Sequence, residues 1–167
     1  MYLRNIILLT LVIMTVSCGY HLRQPIELPQ QFKTLYVQGA SGALQKEIKK
    51  AIRTSSAELV YTPEEAGMVL NIIEENLRQN VLSLGSTGKA TEYELYYLLT
   101  YEFLDAEGGT VMSQETIEFS RDYFDDQSGD TVLGKAAEAD AIREEMYKQA
   151  VRNLFDRTRV SFRKLGK

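Results

Sequence analysis

Between residues 92 and 103 large apolar and polar side chains alternate with a period of two. Tyr93, Leu95, Tyr97, Leu99, Tyr101 and Phe103 share one strand face, while Glu92, Glu94, Thr100 and Glu102 point the other way. Such a segment rests only as a long strand with one face against a core. Turn-forming residues flank it, Gly85-Ser86-Thr87-Gly88 before and Glu107-Gly108-Gly109 after. Beyond those turns lie Met68 to Ser83, opening with Met68-Val69-Leu70 and Ile72-Ile73, and Val111 to Phe124. Three long strands joined by short turns make an antiparallel meander.

The segments around this meander place the helices. Phe32 to Val37 is aromatic and β-branched and reads as a first strand, broken by Gly39-Ala40-Ser41-Gly42 with Ser41 as N-cap. Leu44, Ile48, Ala51, Ile52 and Ser55 follow at helical spacing, and Lys46, Glu47, Lys49, Lys50 and Arg53 fill the other faces. Glu58 to Tyr61 reads as a short edge strand ended by Thr62-Pro63, and 125–134 as an acidic, glycine-containing loop. From Ala136 to Phe162 the stripe Ala139, Ile142, Met146, Ala150 and Leu154, widened by Tyr147, Val151 and Phe155, makes a long closing helix. The order implies an α+β layer, with two helices packed on one face of a mainly antiparallel sheet. Tyr96, Leu98 and Leu104 stand on the sheet's other face, where either a partner or loops cover them.

The amino terminus belongs to a different class of segment. Arg4 precedes the apolar run Ile6 to Met14, which is too short to cross roughly 30 Å of hydrocarbon as a helix with margin and reads as a secretory signal. Thr15-Val16-Ser17-Cys18 follows, resembling a bacterial lipobox with Thr15 where Leu is usual. The expectation is a signal peptide over 1–17, Cys18 as the acylated first residue, a tether over 18–31 carrying Pro25 and Pro29, and a single domain over 32–167. Acyl chains at roughly 0.8 kcal/mol per buried methylene hold such a domain at a membrane surface.

Chemistry-bearing motifs are sparse. One cysteine and one histidine in 167 residues exclude a disulfide framework and a Cys/His zinc site. His21 lies in the tether without a base-and-orienter arrangement, and neither Ser41 nor Ser86 stands in a Gly-x-Ser-x-Gly elbow. Gly85 to Lys89 lacks phosphate-loop spacing, and Asp122, Asp125, Asp126 and Asp130 lack EF-hand spacing. The expectation is a non-enzymatic chain without metal or cofactor.

A net charge of -4, and -5 once Arg4 is removed with the signal, argues against nucleic acid as a partner. The distribution is uneven. Residues 102–147 hold 3 basic and 13 acidic side chains, whereas 148–167 hold 7 and 1. That basic end complements a helix dipole, and it also suits anionic headgroups or an acidic partner.

Three separated pieces resemble one family. Cys18-Gly19-Tyr20-His21-Leu22-Arg23 with a proline soon after, Gly88-Lys89-Ala90-Thr91-Glu92-Tyr93 entering a strand, and Arg121-x-Tyr123-Phe124-Asp125 with Glu144-Glu145-Met146-Tyr147 in the final helix resemble the LPS-assembly lipoprotein family, LptE. The resemblance runs in order along the mature chain. It implies a two-helix, four-stranded α+β domain anchored in the inner leaflet of the outer membrane, on its periplasmic face. It further implies a plug inside a large β-barrel, assistance in that barrel's assembly, delivery of lipopolysaccharide to the cell surface, and no catalytic activity. Lys135 matches a basic position of the family; Lys89 stands with Ser86 in the turn where a longer basic side chain is often placed. Lys89 and Lys135 are therefore the candidate contacts for lipopolysaccharide phosphates. The alternative from another class is a periplasmic ligand-binding lipoprotein that carries a small molecule or peptide without a barrel partner, and a stable complex with a large barrel separates the two.

Overall fold

Three long strands and two helices account for most of the chain. The computed structural model describes residues 33–55, 57–124 and 132–165, with side chains from 137 to 162 in the last segment. The elements are β1 (Thr34–Gln38), α1 (Gly42–Arg53), β2 (Glu58–Leu59), a 3-10 turn (Pro63–Glu65), β3 (Met68–Leu84), β4 (Ala90–Leu104), β5 (Thr110–Phe124) and α2 (Val132–Leu165). The expected signal, tether and Cys18 lie outside the described residues.

The sheet runs β2-β1-β3-β4-β5. Its long members are antiparallel, with Leu70 opposite Phe103 in β3–β4 and Leu99 opposite Ile117 in β4–β5. β1 is parallel to both β3 and β2. The parallel pairs follow from α1 and the 3-10 turn, which carry the chain back to the starting edge. The two-residue β2 is a fifth strand added to the four that the family resemblance implies, at the edge where the sequence places a short strand.

One sheet face is the core. Leu95, Tyr97, Leu99, Tyr101 and Phe103 of β4 are each 1% exposed or less, which confirms the alternation read from the sequence. Leu35 and Val37 of β1, Leu70 and Ile72 of β3, and Ile117 and Tyr123 of β5 join them. α1 contributes Leu44, Ile48 and Ile52, and α2 contributes Met146, Ala150, Val151, Leu154, Phe155 and Phe162. Burying each large aliphatic side chain contributes about 1.5–3 kcal/mol, so packing rather than helix propensity holds α1 in place. The Tyr147 ring meets Tyr97 edge-on at 5.3 Å, and Phe162 meets Phe103 at 6.3 Å. α2 therefore runs in the direction of β4, from the β3–β4 turn toward the β4–β5 turn.

Two local devices set the register. β3 shifts between Ile72 and Glu74, so Ile73 is the extra residue of a bulge, and Glu75 and Leu77 turn toward the helices. Gly39 leaves β1 with φ +79°, and a Cβ there would stand 2.4 Å from the Ile72 carbonyl oxygen. Only glycine lets the backbone cross β3 that closely.

Ser41 caps α1 as expected, its Oγ accepting from Leu44 N–H at 3.2 Å. α1 ends at Arg53, earlier than the spacing of Ser55 implied. α2 begins at Val132, so residues 132–134 are helical rather than part of the acidic loop. Extending a helix formed by Ala136, Ala137 and Glu138 costs far less than nucleating one, which overrides Gly134.

Candidate functional site

Among the described residues no helix covers the second face of the long strands. Glu74, Glu92, Glu94, Glu102, Glu118 and Asp122 stand on it, with Arg78 as the one basic residue that the β3–β5 registers place there. Cross-strand hydrogen bonds tie the polar groups together: Asn71 Nδ2 donates to Glu102 at 2.7 Å, Asn80 Nδ2 to Glu94 at 3.0 Å, and the Thr100 and Thr116 hydroxyls lie 3.2 Å apart. Tyr96 donates to Glu118 at 2.7 Å, and the Arg78 guanidinium lies over its ring at 5.6 Å. The Glu118 hydrogen bond, followed by desolvation, raises the Tyr96 phenol above its ordinary value. Tyr96, Leu98 and Leu104, assigned to this face from the sequence, are half-buried on it.

The β3–β4 turn forms one end of the sheet. Gly85 N–H donates to the Lys89 carbonyl at 2.7 Å, and Gly88 N–H donates to the Gly85 carbonyl at 2.9 Å with φ +76° at Gly88. This leaves the Lys89 side chain exposed. Lys135 lies in the first turn of α2, and its side chain is outside those described. Arg143, two turns further along, donates to Gln79 at 3.1 Å. The start of α2 and the β3–β4 turn therefore occupy the same end of the sheet. The sequence reading missed the apolar surface beside them: Leu84 is 65% exposed, Phe124 70%, and Val81 and Leu82 about half. The signal was present in Val81-Leu82-Ser83-Leu84, where three apolar residues stand in four beside a turn, too many for one buried face.

A polar knot lies where α1 begins. Glu75 accepts from both the backbone and the hydroxyl of Ser41, so Ser41 works as a cap and not as a nucleophile. The Tyr97 hydroxyl is buried close to Glu75 without completing a hydrogen bond among the described residues. Burial, then the Glu75 charge, raises the Tyr97 phenol far above its usual value, and burial does the same to Tyr101 beside Glu115.

The helix layer carries the opposite charge. Lys50 pairs with the buried Glu47 at 2.6 Å and reaches Glu144 at 3.7 Å, while Lys148 and Arg152 pair with Glu144 and Glu145. A groove of about 470 Å³ beside α1 is rimmed by Lys46, Lys49, Lys50 and Arg53 over Leu59 and Tyr61. Among the described residues no group of three His, Cys, Asp or Glu side chains is placed to hold a metal ion, and no helix is long and apolar enough to cross a membrane. His21 and Cys18 lie outside the described residues, as do Asp125, Asp126 and Asp130; Asp122 is exposed on β5.

Known proteins are similar to this chain in sequence and fold. The LPS-assembly lipoprotein LptE of Photorhabdus laumondii is 26% identical over 145 residues, covering 86% of this chain and 78% of that protein. The solution structure of an uncharacterized lipoprotein B from Nitrosomonas europaea superposes with a TM-score of 0.64 at 29% identity, covering 82% of this chain and 88% of that one. The crystal structure of rare lipoprotein B from Shewanella oneidensis gives 0.64 at 26% identity, with 80% and 98% covered. The lipopolysaccharide-assembly family, LptE, matches residues 32–158, which include every strand and most of α2. With that match across the sheet, both helices and the polar uncovered face, this chain belongs to the LptE family of lipopolysaccharide-assembly proteins.

Proposed function

We propose that this chain is a non-enzymatic outer-membrane lipoprotein, held through Cys18, that plugs and helps assemble the lipopolysaccharide-export β-barrel and assists lipopolysaccharide delivery to the cell surface. The observation that carries the reading is the uncovered face of β3–β5. A sheet with one face on its own core and the other studded with carboxylates, amides and Tyr96 suits the polar interior of a large barrel, where side chains of the wall complete its hydrogen bonds. Family membership supports the same reading, because the relatives' names describe assembly of lipopolysaccharide. The β3–β4 end supports the lipid-handling half. Lys89 and the first turn of α2 with Lys135 offer positive charge and free N–H groups to phosphate, and Leu84 and Phe124 offer apolar surface to an amphiphile.

The test is purification of the tagged full chain in mild detergent, with identification of what remains bound. Recovery of a large outer-membrane β-barrel at near-equal stoichiometry is the expected result. A chain recovered without any barrel, holding a small molecule or peptide instead, would replace this reading with that of a periplasmic carrier.

A further inference from the structure

The outer side of α1 is basic from Lys46 to Arg53. Lys46, Lys49 and Arg53 recur at three and four residues and so form one stripe, and Lys50 stands beside it. The helix holds a single acid, Glu47, which is buried and already paired with Lys50. Among the described residues Lys46, Lys49 and Arg53 form no close ion pair, and Lys46 acts on Glu144 only at longer range. The groove beside the stripe has no carboxylate among its described lining, and its floor includes the ring of Tyr61, which is 77% exposed. An exposed tyrosine beside these cations is an amphipathic surface, apolar in its body and polar at its tip.

This surface lies beside the point where the tether enters the domain. The described chain starts at Lys33, whose carbonyl accepts from Glu58 N–H at 2.7 Å. Glu58 follows α1 by a short connection, so the tether enters the domain at the end of the sheet where α1 terminates. Cys18 lies only fifteen residues upstream of Lys33, a reach of at most about 50 Å. The β3–β4 turn with Lys89 is at the far end of β3, about 50 Å away along the strand. The acidic sheet face, opposite the helices, is repelled by an anionic surface. Of the faces that a tethered domain can turn to an anionic bilayer, the basic side of α1 is attracted and the acidic sheet face is not.

We propose that, before a barrel encloses the domain, the basic side of α1 seats the headgroups of anionic phospholipid in the membrane that holds the tether, fixing the orientation in which the domain waits there. This rests on the Cys18 anchor of the proposed function for its second attachment. One lipid anchor leaves rotation free; an anchor combined with a basic face does not. Phospholipid phosphates offer a dense, planar array of negative charge, which a stripe of cations on one helix side matches without a deep pocket.

The test uses the full chain produced without barrel, purified in mild detergent and reconstituted into vesicles, with a fluorescent label at Gln45→Cys beside the stripe or at Thr116→Cys on the uncovered sheet face. Acylated Cys18 has no free thiol to label. With about one third phosphatidylglycerol, a headgroup-bound quencher is expected to quench position 45 at least about twofold more than position 116, and about 0.5 M salt to remove the difference. Lys46→Glu, Lys49→Glu and Arg53→Glu together abolish the excess, and the corresponding Gln variant reduces it, with circular dichroism unchanged in both. An excess that survives charge reversal, equals that in neutral phosphatidylcholine, or moves to position 116 overturns the proposal. An excess seen only with lipopolysaccharide vesicles overturns it in favour of that lipid. The mass of the purified chain is read separately: a chain without acyl groups that still shows the excess removes the anchor and supports the α1 surface.

Discussion

The Glu75 carboxylate of β3 clamps Ser41 at the start of α1, accepting from its hydroxyl at 2.6 Å and from its backbone N–H at 2.8 Å. The same hydroxyl accepts from Leu44 N–H at 3.2 Å. A residue in the middle of a strand thus completes the cap of a helix 34 positions earlier, and the bulge at Ile73 is what turns Glu75 toward it.

Removing that carboxylate tests the clamp. Glu75→Ala leaves the Ser41 N–H and hydroxyl without their acceptor and is expected to destabilise the domain by about 1–2 kcal/mol in urea unfolding. Glu75→Gln, which keeps an acceptor oxygen, is expected to lose less. Equal losses for the two variants would mean that packing of the side chain, and not its hydrogen bonds, holds α1.

The tyrosines set an alkaline limit. Burial raises the Tyr97 and Tyr101 phenols, while in the unfolded chain both ionise near about pH 10. Below that pH both states keep the proton and stability is flat; above it the unfolded state binds fewer protons than the native one, so stability falls as pH rises. Tyr97→Phe removes a buried hydroxyl that completes no hydrogen bond, so at neutral pH it is expected to leave stability unchanged or raised by up to about 1 kcal/mol. The variant is also expected to lose less stability between about pH 9 and about pH 11. Thermal melts across that range check both, and a clear loss at neutral pH would mean that the hydroxyl has a partner in solution.

Cys18 decides the attachment. Intact mass of the mature protein is expected to show loss of residues 1–17 and added acyl mass. Cys18→Ser behind a cleavable signal is expected to give a soluble domain with unchanged circular dichroism, because the described core begins at Leu35. An unmodified Cys18 or an intact amino terminus removes the anchor.

The lysines at the far end test lipid delivery. Lys89→Glu with Lys135→Glu is expected to weaken lipopolysaccharide binding by about tenfold at low salt, with a smaller difference at high salt, and to leave copurification of the barrel intact. Unchanged binding at low salt would dismiss the site.

Much of the architecture was legible because it rests on periodicity. The face assignment of Tyr93 to Phe103, the apolar stripes of both helices, the Ser41 cap and the turn at Gly85–Gly88 all follow from side-chain spacing and backbone preference within a dozen residues. Lys89 and Lys135 were named from a resemblance; their side-chain spacing is not something a linear pattern carries.

Tertiary structure decided the rest, because it concerns residues far apart in the chain. The pairing of β1 with β3 depends on where α1 returns the chain, and no residue of β1 names its neighbour. The bulge at Ile73 reverses which side of β3 faces the core, so a strand that begins with Val69, Leu70 and Ile72 goes on to present Glu75 to a helix and turns Leu77 toward the core. The amino-acid sequence by itself determined which residues form strands, helices and caps, since those choices are local. Only the folded chain could set the basic side of α1 beside the tether's entry, the β3–β4 turn at the other end and the acidic face away from both helices, because each of these is a distance between segments that local physics leaves free.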